Sequence, residues 1–219
     1  MTDSKTFEFV DGDESLSICT REILDPSYGM YTWPCAPVLA QFVWHNRKQV
    51  AGKRVIELGA GTALPGMVAS KCGAEVVLTD KSEPPDLLEN CSRSCKMNHL
   101  GDNIKILDIT WGRFNSNIMN LPPVDFILAS DCFYNSDDFE PVIATVYYLM
   151  EKNPAAHMWT TYQERSSMRS IAYLLDRWNM KSTEIPLKDF NADDDFMASA
   201  HIPATSDIYF FDIQFKHPR

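Results

Sequence analysis

The sequence predicts an α/β fold: a seven-stranded, mostly parallel sheet with helices on both faces, an antiparallel last strand and a short N-terminal β-hairpin. Three observations carry this. From residue 53 onward, short apolar runs alternate with amphipathic stretches. One run, Val55–Leu58, leads directly into Gly59-Ala60-Gly61. The next ends at Asp80, nineteen residues after Gly61.

Before that alternation, Phe7–Val10 and Leu16–Ile23 alternate apolar and polar residues around Gly12-Asp13, a hairpin pattern. Pro26, Gly29, Pro34 and Pro37 punctuate the next stretch, and Pro37 opens a helix through Val38-Leu39, Phe42-Val43 and Trp44. We therefore divide the chain into an N-terminal arm, residues 1–30, and a catalytic domain, residues 31–219. Arg54–Leu58 is the first core strand and Gly59–Leu64 a turn. Pro65–Cys72 is a helix with proline in its first turn, closed by Gly73. Glu75–Thr79 is the second strand. Ser82 caps a helix with Glu83 and Asp86 in its first turn, ending near Asn98 before Leu100-Gly101. Ile104–Leu107 and Asp125–Ala129 are strands, the latter apolar enough for burial on both faces. Phe139–Glu151 is helical, His157–Tyr162 a strand and Ser167–Trp178 a helix. Met180–Ile185 and Ile208–Phe215 close the sheet as an antiparallel pair at one edge. The stretch between them is too polar and broken for a regular helix. Such strand–helix alternation implies right-handed crossovers.

The formal net charge of −10 disfavours duplex DNA and anionic membranes as direct partners, and favours a basic protein partner or simple solubility. Six cysteines occur without a C-x-x-C pair or histidines at zinc-finger spacing, so free thiols and no metal are expected. The polar start and the lack of a membrane-length apolar run place the protein in the cytoplasm, the nucleus or both.

The chemistry concentrates in Val55–Gly66. Gly59 and Gly61 permit a sharp turn and a close ligand approach beyond a strand's carboxyl end. A dinucleotide site would need a third glycine where Leu64 stands, and Glu57 would repel a pyrophosphate. The same carboxylate suits a cationic, phosphate-free nucleoside, which makes S-adenosylmethionine the expected cofactor in preference to NAD. Asp80 is placed to accept ribose hydroxyls; the alternative is that it merely begins a loop.

The order Trp33, Glu57-Leu58-Gly59-Ala60-Gly61, Leu78-Thr79-Asp80, Trp111-Gly112 and Ala129-Ser130-Asp131-Cys132-Phe133-Tyr134 resembles methyltransferase family 16, over most of the chain. The resemblance implies a Rossmann-like methyltransferase fold and transfer to a protein lysine or arginine, histone arginine among them. By the same resemblance Trp33 lies against the cofactor. Glu57, Gly59 and Gly61 hold its methionine portion, and Asp80 its ribose. Trp111 packs on adenine, with Asp108 or Ile109 giving polar contacts, and Ala129 borders the cofactor. Asp131 and Tyr134 match a D-x-x-Y motif that faces the methyl group and acceptor. Trp33 could equally be a packed loop aromatic, and Trp111 a cover for the sheet edge. Tyr162, Gln163 and Glu164 either line the acceptor pocket or cap the next helix. Pro34 stands where lysine-modifying relatives carry an acid, and the double-glutamate loop of the usual arginine enzymes is absent, so the acceptor stays open. A cofactor-binding scaffold without transfer activity is the alternative function.

Overall fold

The sheet is built outward from a strand whose buried residues are apolar except for one carboxylic acid. In the computed structural model, which describes residues 2–23, 30–100, 104–165, 170–202 and 205–217, Arg54–Leu58 forms β3, the third of seven strands across the sheet. Before it come β1 (Thr2–Asp11), β2 (Glu14–Ile23) and α1 (Cys35–His45). After it follow α2 (Leu64–Lys71), β4 (Glu75–Asp80), α3 (Asp86–Met97), β5 (Ile104–Asp108) and β6 (Phe126–Ser130). Then come α4 (Phe139–Lys152), β7 (His157–Gln163), α5 (Ala172–Arg177), β8 (Met180–Glu184) and β9 (Ile208–Phe215).

The order across the sheet is β5-β4-β3-β6-β7-β9-β8. The first five run parallel, and β9 pairs antiparallel with both β7 and β8. β3 is flanked by β4 on one side and β6 on the other, so the crossovers diverge at its carboxyl end. Such a switch point leaves a crevice for ligands. The last two strands do pair, but β9 inserts inside the sheet and β8 becomes the edge. Burial explains the choice: β9 alternates buried residues through its length, whereas β8 buries only Met180.

Period-two alternation distributes the core. Val55, Val76, Leu78, Phe126, Leu128 and Trp159 face α1, α2 and α3; Ile56, Leu58, Val77, Ile127 and Met158 face α4 and α5. On the first face, Phe42 packs against Trp159, Phe190 and Phe210 with centroids 4.0–5.0 Å apart. The hairpin forms its own two-stranded sheet, Gly12 turning it at φ +61°. Phe7, Phe9 and Ile18 bury themselves in the same core cluster as α1.

Several boundaries differ from expectation. α1 begins at Cys35 and takes Pro37 into its first turn, where a missing N–H costs no intrahelical bond. α3 begins at Asp86 without a side-chain cap, and Ser82 lies in a bend before it. Of the helix expected over Ser167–Trp178, the described residues form the stretch Ala172–Arg177, with Trp178 as its C-cap. Its expected start, like Pro26, Gly29 and Gly101, lies outside the described residues. Ser116–Met119 forms a short helix that the sequence pattern does not announce, its first turn satisfied by the Asn115 side chain accepting from the Ile118 N–H. No helix among the described residues is long and apolar enough to cross a membrane. All six cysteines are free thiols.

Because β9 closes the aromatic cluster, Phe210→Ala should cost about 3–5 kcal/mol of stability. Urea unfolding measures it. A loss below about 1 kcal/mol would mean that the ring does not anchor β9.

Candidate active site

Glu57 lies on the α2 side of β3 and is fully buried. Its Oε2 accepts a hydrogen bond from the Gly66 N–H at 2.9 Å, within the first turn of α2. Its Oε1 has no hydrogen-bond partner among the described residues. Burial pushes the carboxyl up to about 8, the Gly66 N–H opposes that rise, and the charge of Asp80 adds to it. Gly66 is a glycine for a steric reason: a Cβ there would collide with Leu78 and with Glu57 Oε2. The third glycine of this segment thus stands at 66 rather than at 64, where it admits a carboxyl group.

The turn above β3 needs both of its glycines. Gly59 has φ +62° and Gly61 φ +54°, and Ala63 also adopts a left-handed conformation before α2. A Cβ on Gly59 would lie 2.7 Å from Trp111 Cζ2 and 3.3 Å from Cys132 Sγ, so the indole rests on bare backbone. The Gly61 N–H donates to Asp80 Oδ2 at 3.0 Å, and the Cys91 thiol donates to the Gly61 carbonyl at 3.0 Å. Asp80 Oδ1 accepts from the Lys81 N–H at 2.8 Å. Partial burial raises the Asp80 carboxyl, and those two N–H groups oppose the rise. At the next strand, the Ile109 N–H donates to the Asp80 carbonyl at 3.0 Å. Asp108 accepts through its carbonyl from Asn115 and Asn117, and its buried Oδ1 has no partner among the described residues.

The arm meets this turn through hydroxyls. Thr32 Oγ1 lies 3.0 Å from Thr62 Oγ1 and 3.2 Å from Thr20 Oγ1, all three buried. The Thr32 N–H donates to Glu22 at 3.2 Å. This brings Trp33 beside the glycine turn, half-exposed and edge-on to Tyr31 at 5.6 Å.

Asp131 forms the second part of the site. It follows β6 at φ +56°, a conformation rare for a residue with a Cβ, and is only 8% exposed. Its N–H donates to the Thr161 carbonyl at 2.8 Å. Arg165 grips its carboxylate at two points, Nη1 to Oδ1 at 2.8 Å and Nη2 to Oδ2 at 2.5 Å. The Thr161 hydroxyl donates to the Cys35 carbonyl at 2.9 Å, which seats the start of α1 at the same place. Cys132 connects the two parts, its thiol donating to the Leu58 carbonyl at 3.3 Å. Tyr134 is half-exposed, its hydroxyl raised by burial and by the acids around it.

Glu57, Gly59, Gly61, Asp80 and Trp111 thus share one turn, Asp131 borders it, and Trp33 adjoins it. Ala129 stands apart: its side chain is fully buried on the α4 face and its carbonyl accepts from Thr160 at 2.7 Å. Sequence reasoning missed Arg165, the threonine chain and the structural need for Gly66. The signal for Arg165 was its position directly after Tyr162-Gln163-Glu164, at the exit of the strand beside β6.

The residues suit S-adenosylmethionine. Glu57 offers an unmatched buried oxygen to a cationic group, and each Asp80 oxygen keeps a lone pair for a ribose hydroxyl. Bare backbone at Gly59 and Gly61 permits close approach, and the Trp111 ring can lie flat on a base. Two acids at one turn offer a pyrophosphate no favourable charge.

A seven-strand, S-adenosylmethionine-dependent methyltransferase is the class that this fold and turn define. The chain belongs to the lysine methyltransferase family, whose model matches residues 12–175. It is 49% identical over 191 residues to the histone-arginine methyltransferase METTL23 of Xenopus laevis, covering 87% of this chain and 81% of that protein. With METTL23 of Homo sapiens it shares 47% identity over 186 residues, covering 85% of this chain and 97% of the relative. The fold matches a putative RNA methyltransferase from Pyrococcus horikoshii with TM-score 0.58 at 13% identity, covering 89% of this chain and 91% of that one.

A carboxyl raised by folding is favoured in its protonated form. The stability Glu57 permits is therefore full below the ordinary carboxylate range and is lost as pH rises through about 8. Glu57→Gln keeps an acceptor for the Gly66 N–H but does not titrate. Thermal unfolding of the unliganded protein should show Glu57→Gln gaining on the parent between pH 6 and 9. Parallel pH profiles would contradict the assignment.

Proposed function

We propose that this chain is a protein N-methyltransferase that transfers a methyl group from S-adenosylmethionine to the side-chain nitrogen of a basic residue, arginine or lysine, in a protein. The observation that carries this reading is Asp131, a nearly buried carboxylate held in a strained backbone conformation at the exit of β6. It neighbours the glycine turn through Cys132. When bound, the cofactor supplies an electrophilic methyl group on a sulfonium. Everything else is positioning, and alignment of this kind can supply about 7–11 kcal/mol of a rate enhancement.

Glu57, Gly59, Gly61 and Asp80 would hold the cofactor, with Trp111 and Trp33 covering it. Asp131 would orient the acceptor nitrogen by a charge-assisted hydrogen bond and hold its positive charge. An amine acceptor must first lose a proton, which desolvation promotes. A guanidinium takes the methyl from the sulfonium, releases one N–H proton to solvent and stays singly charged, so it needs firm carboxylate contact throughout. The names of the METTL23 relatives support histone arginine as acceptor. The net charge of −10 supports a basic protein. So does a cleft of about 600 Å³ lined in part by Gly112, Asp137 and Glu140.

Tritiated cofactor incubated with core histones should label a histone band. Asp131→Ala should lower that labelling by about 10- to 100-fold, the worth of a hydrogen bond to a charged group. Calorimetric binding of the cofactor should stay essentially unchanged. Undiminished labelling by Asp131→Ala would sink the catalytic assignment. Cofactor binding without labelling of histones or extract proteins would favour a scaffold.

A further inference from the structure

The feature that neither the motif nor the proposed function uses is the partner Asp131 already has. Arg165 Nη1 meets Oδ1 at 2.8 Å and Nη2 meets Oδ2 at 2.5 Å, a two-point planar fork on a carboxylate that is only 8% exposed. This is the geometry by which a carboxylate recognises a guanidinium. The two partners differ in burial and setting. Asp131 is fixed: its N–H is spent on Thr161, and its Oδ1 receives a long contact from the Gln163 N–H at 3.5 Å. The Arg165 side chain is one-third exposed and lies beyond the end of β7. Among the described residues no other cation forms an ion pair with Asp131.

We propose that Arg165 is a specificity-determining residue: an internal stand-in for the acceptor, occupying Asp131 in the unliganded protein and displaced when a substrate guanidinium takes over the same fork. The inference rests on Asp131 being the acceptor-binding carboxylate. Two physical consequences follow. The buried carboxylate is never left without a counter-charge, which would be costly. And the incoming group must equal what it displaces. A substrate arginine restores both contacts of the fork. A lysine ammonium is a compact point charge and cannot match both at once. The exchange therefore selects arginine over lysine, and its cost appears as weakened acceptor affinity, because only the fraction of molecules with Arg165 released is competent to bind.

Arg165→Ala should vacate the fork. In thermal unfolding, methylguanidinium at millimolar concentration should raise the Tm of Arg165→Ala, methylammonium should raise it less, and neither should shift the parent. The double variant Asp131→Asn/Arg165→Ala should not respond. In steady-state transfer to an arginine-containing histone peptide, Arg165→Ala should lower the peptide KM by about threefold or more, with kcat retained. If Arg165→Ala does not fold, Arg165→Gln provides the same vacancy with one neutral donor in place. Stabilisation by methylguanidinium that survives in the double variant would overturn the proposal. So would a fall in kcat at constant KM that Arg165→Lys restores, since that marks a residue that merely orients Asp131. The thermal shifts need no turnover. Hence a protein that transfers no methyl group but shows the expected shifts refutes the proposed reaction and leaves the fork assignment standing.

Discussion

A carboxylate buried beneath a helix start is the constraint from which the rest of this site follows. Glu57 must have a donor, and the Gly66 N–H is one that the first turn of α2 leaves free. To offer that N–H at 2.9 Å, residue 66 must have no side chain, and the chain must rise from β3 through a turn tight enough to bring α2 back over the strand. Gly59, Gly61 and Ala63, all at positive φ, make that turn. A single buried acid thus dictates the shape of the loop, and the loop's bare backbone is what leaves room for a ligand.

The same acid sets the electrostatics. One oxygen is matched and the other is not, and the surroundings favour the neutral form until a cation arrives. Asp80, tied to the loop by the Gly61 N–H, adds a second acid at the rim. The pair makes the turn hospitable to a positively charged nucleoside and hostile to phosphate. This separates it from dinucleotide turns of similar glycine content. Asp131 meets the same problem differently: a guanidinium is brought to it. The two acids are handled differently because one sits under a helix and the other at a strand exit next to a loop that carries an arginine.

The hairpin and arm belong to this arrangement. Thr20, Thr32 and Thr62 form a buried chain of hydroxyls from β2 to the glycine turn, and Phe7, Phe9 and Ile18 join the main core. The N-terminal strands thus reach the glycine turn through this hydroxyl chain.

By itself the sequence determined the parts governed by local periodicity and local geometry. Strand–helix alternation, the Gly-x-Gly turn, Asp80 at a strand end and Asp131 at another were legible because period-two burial and φ freedom are properties of neighbouring residues. The parallel core strands were placed to within a residue or two. Only the tertiary structure decided what depends on distant residues. β9 entered the sheet between β7 and β8 because Phe210 completes an aromatic cluster with Phe42 and Phe190. Gly66 proved to be a steric partner of Glu57 nine positions away. Arg165 found Asp131 across 34 positions, and Thr32 found Thr62 across 30. No composition or spacing announces such pairs, because a buried charge or hydroxyl is satisfied by whichever group the fold delivers to it.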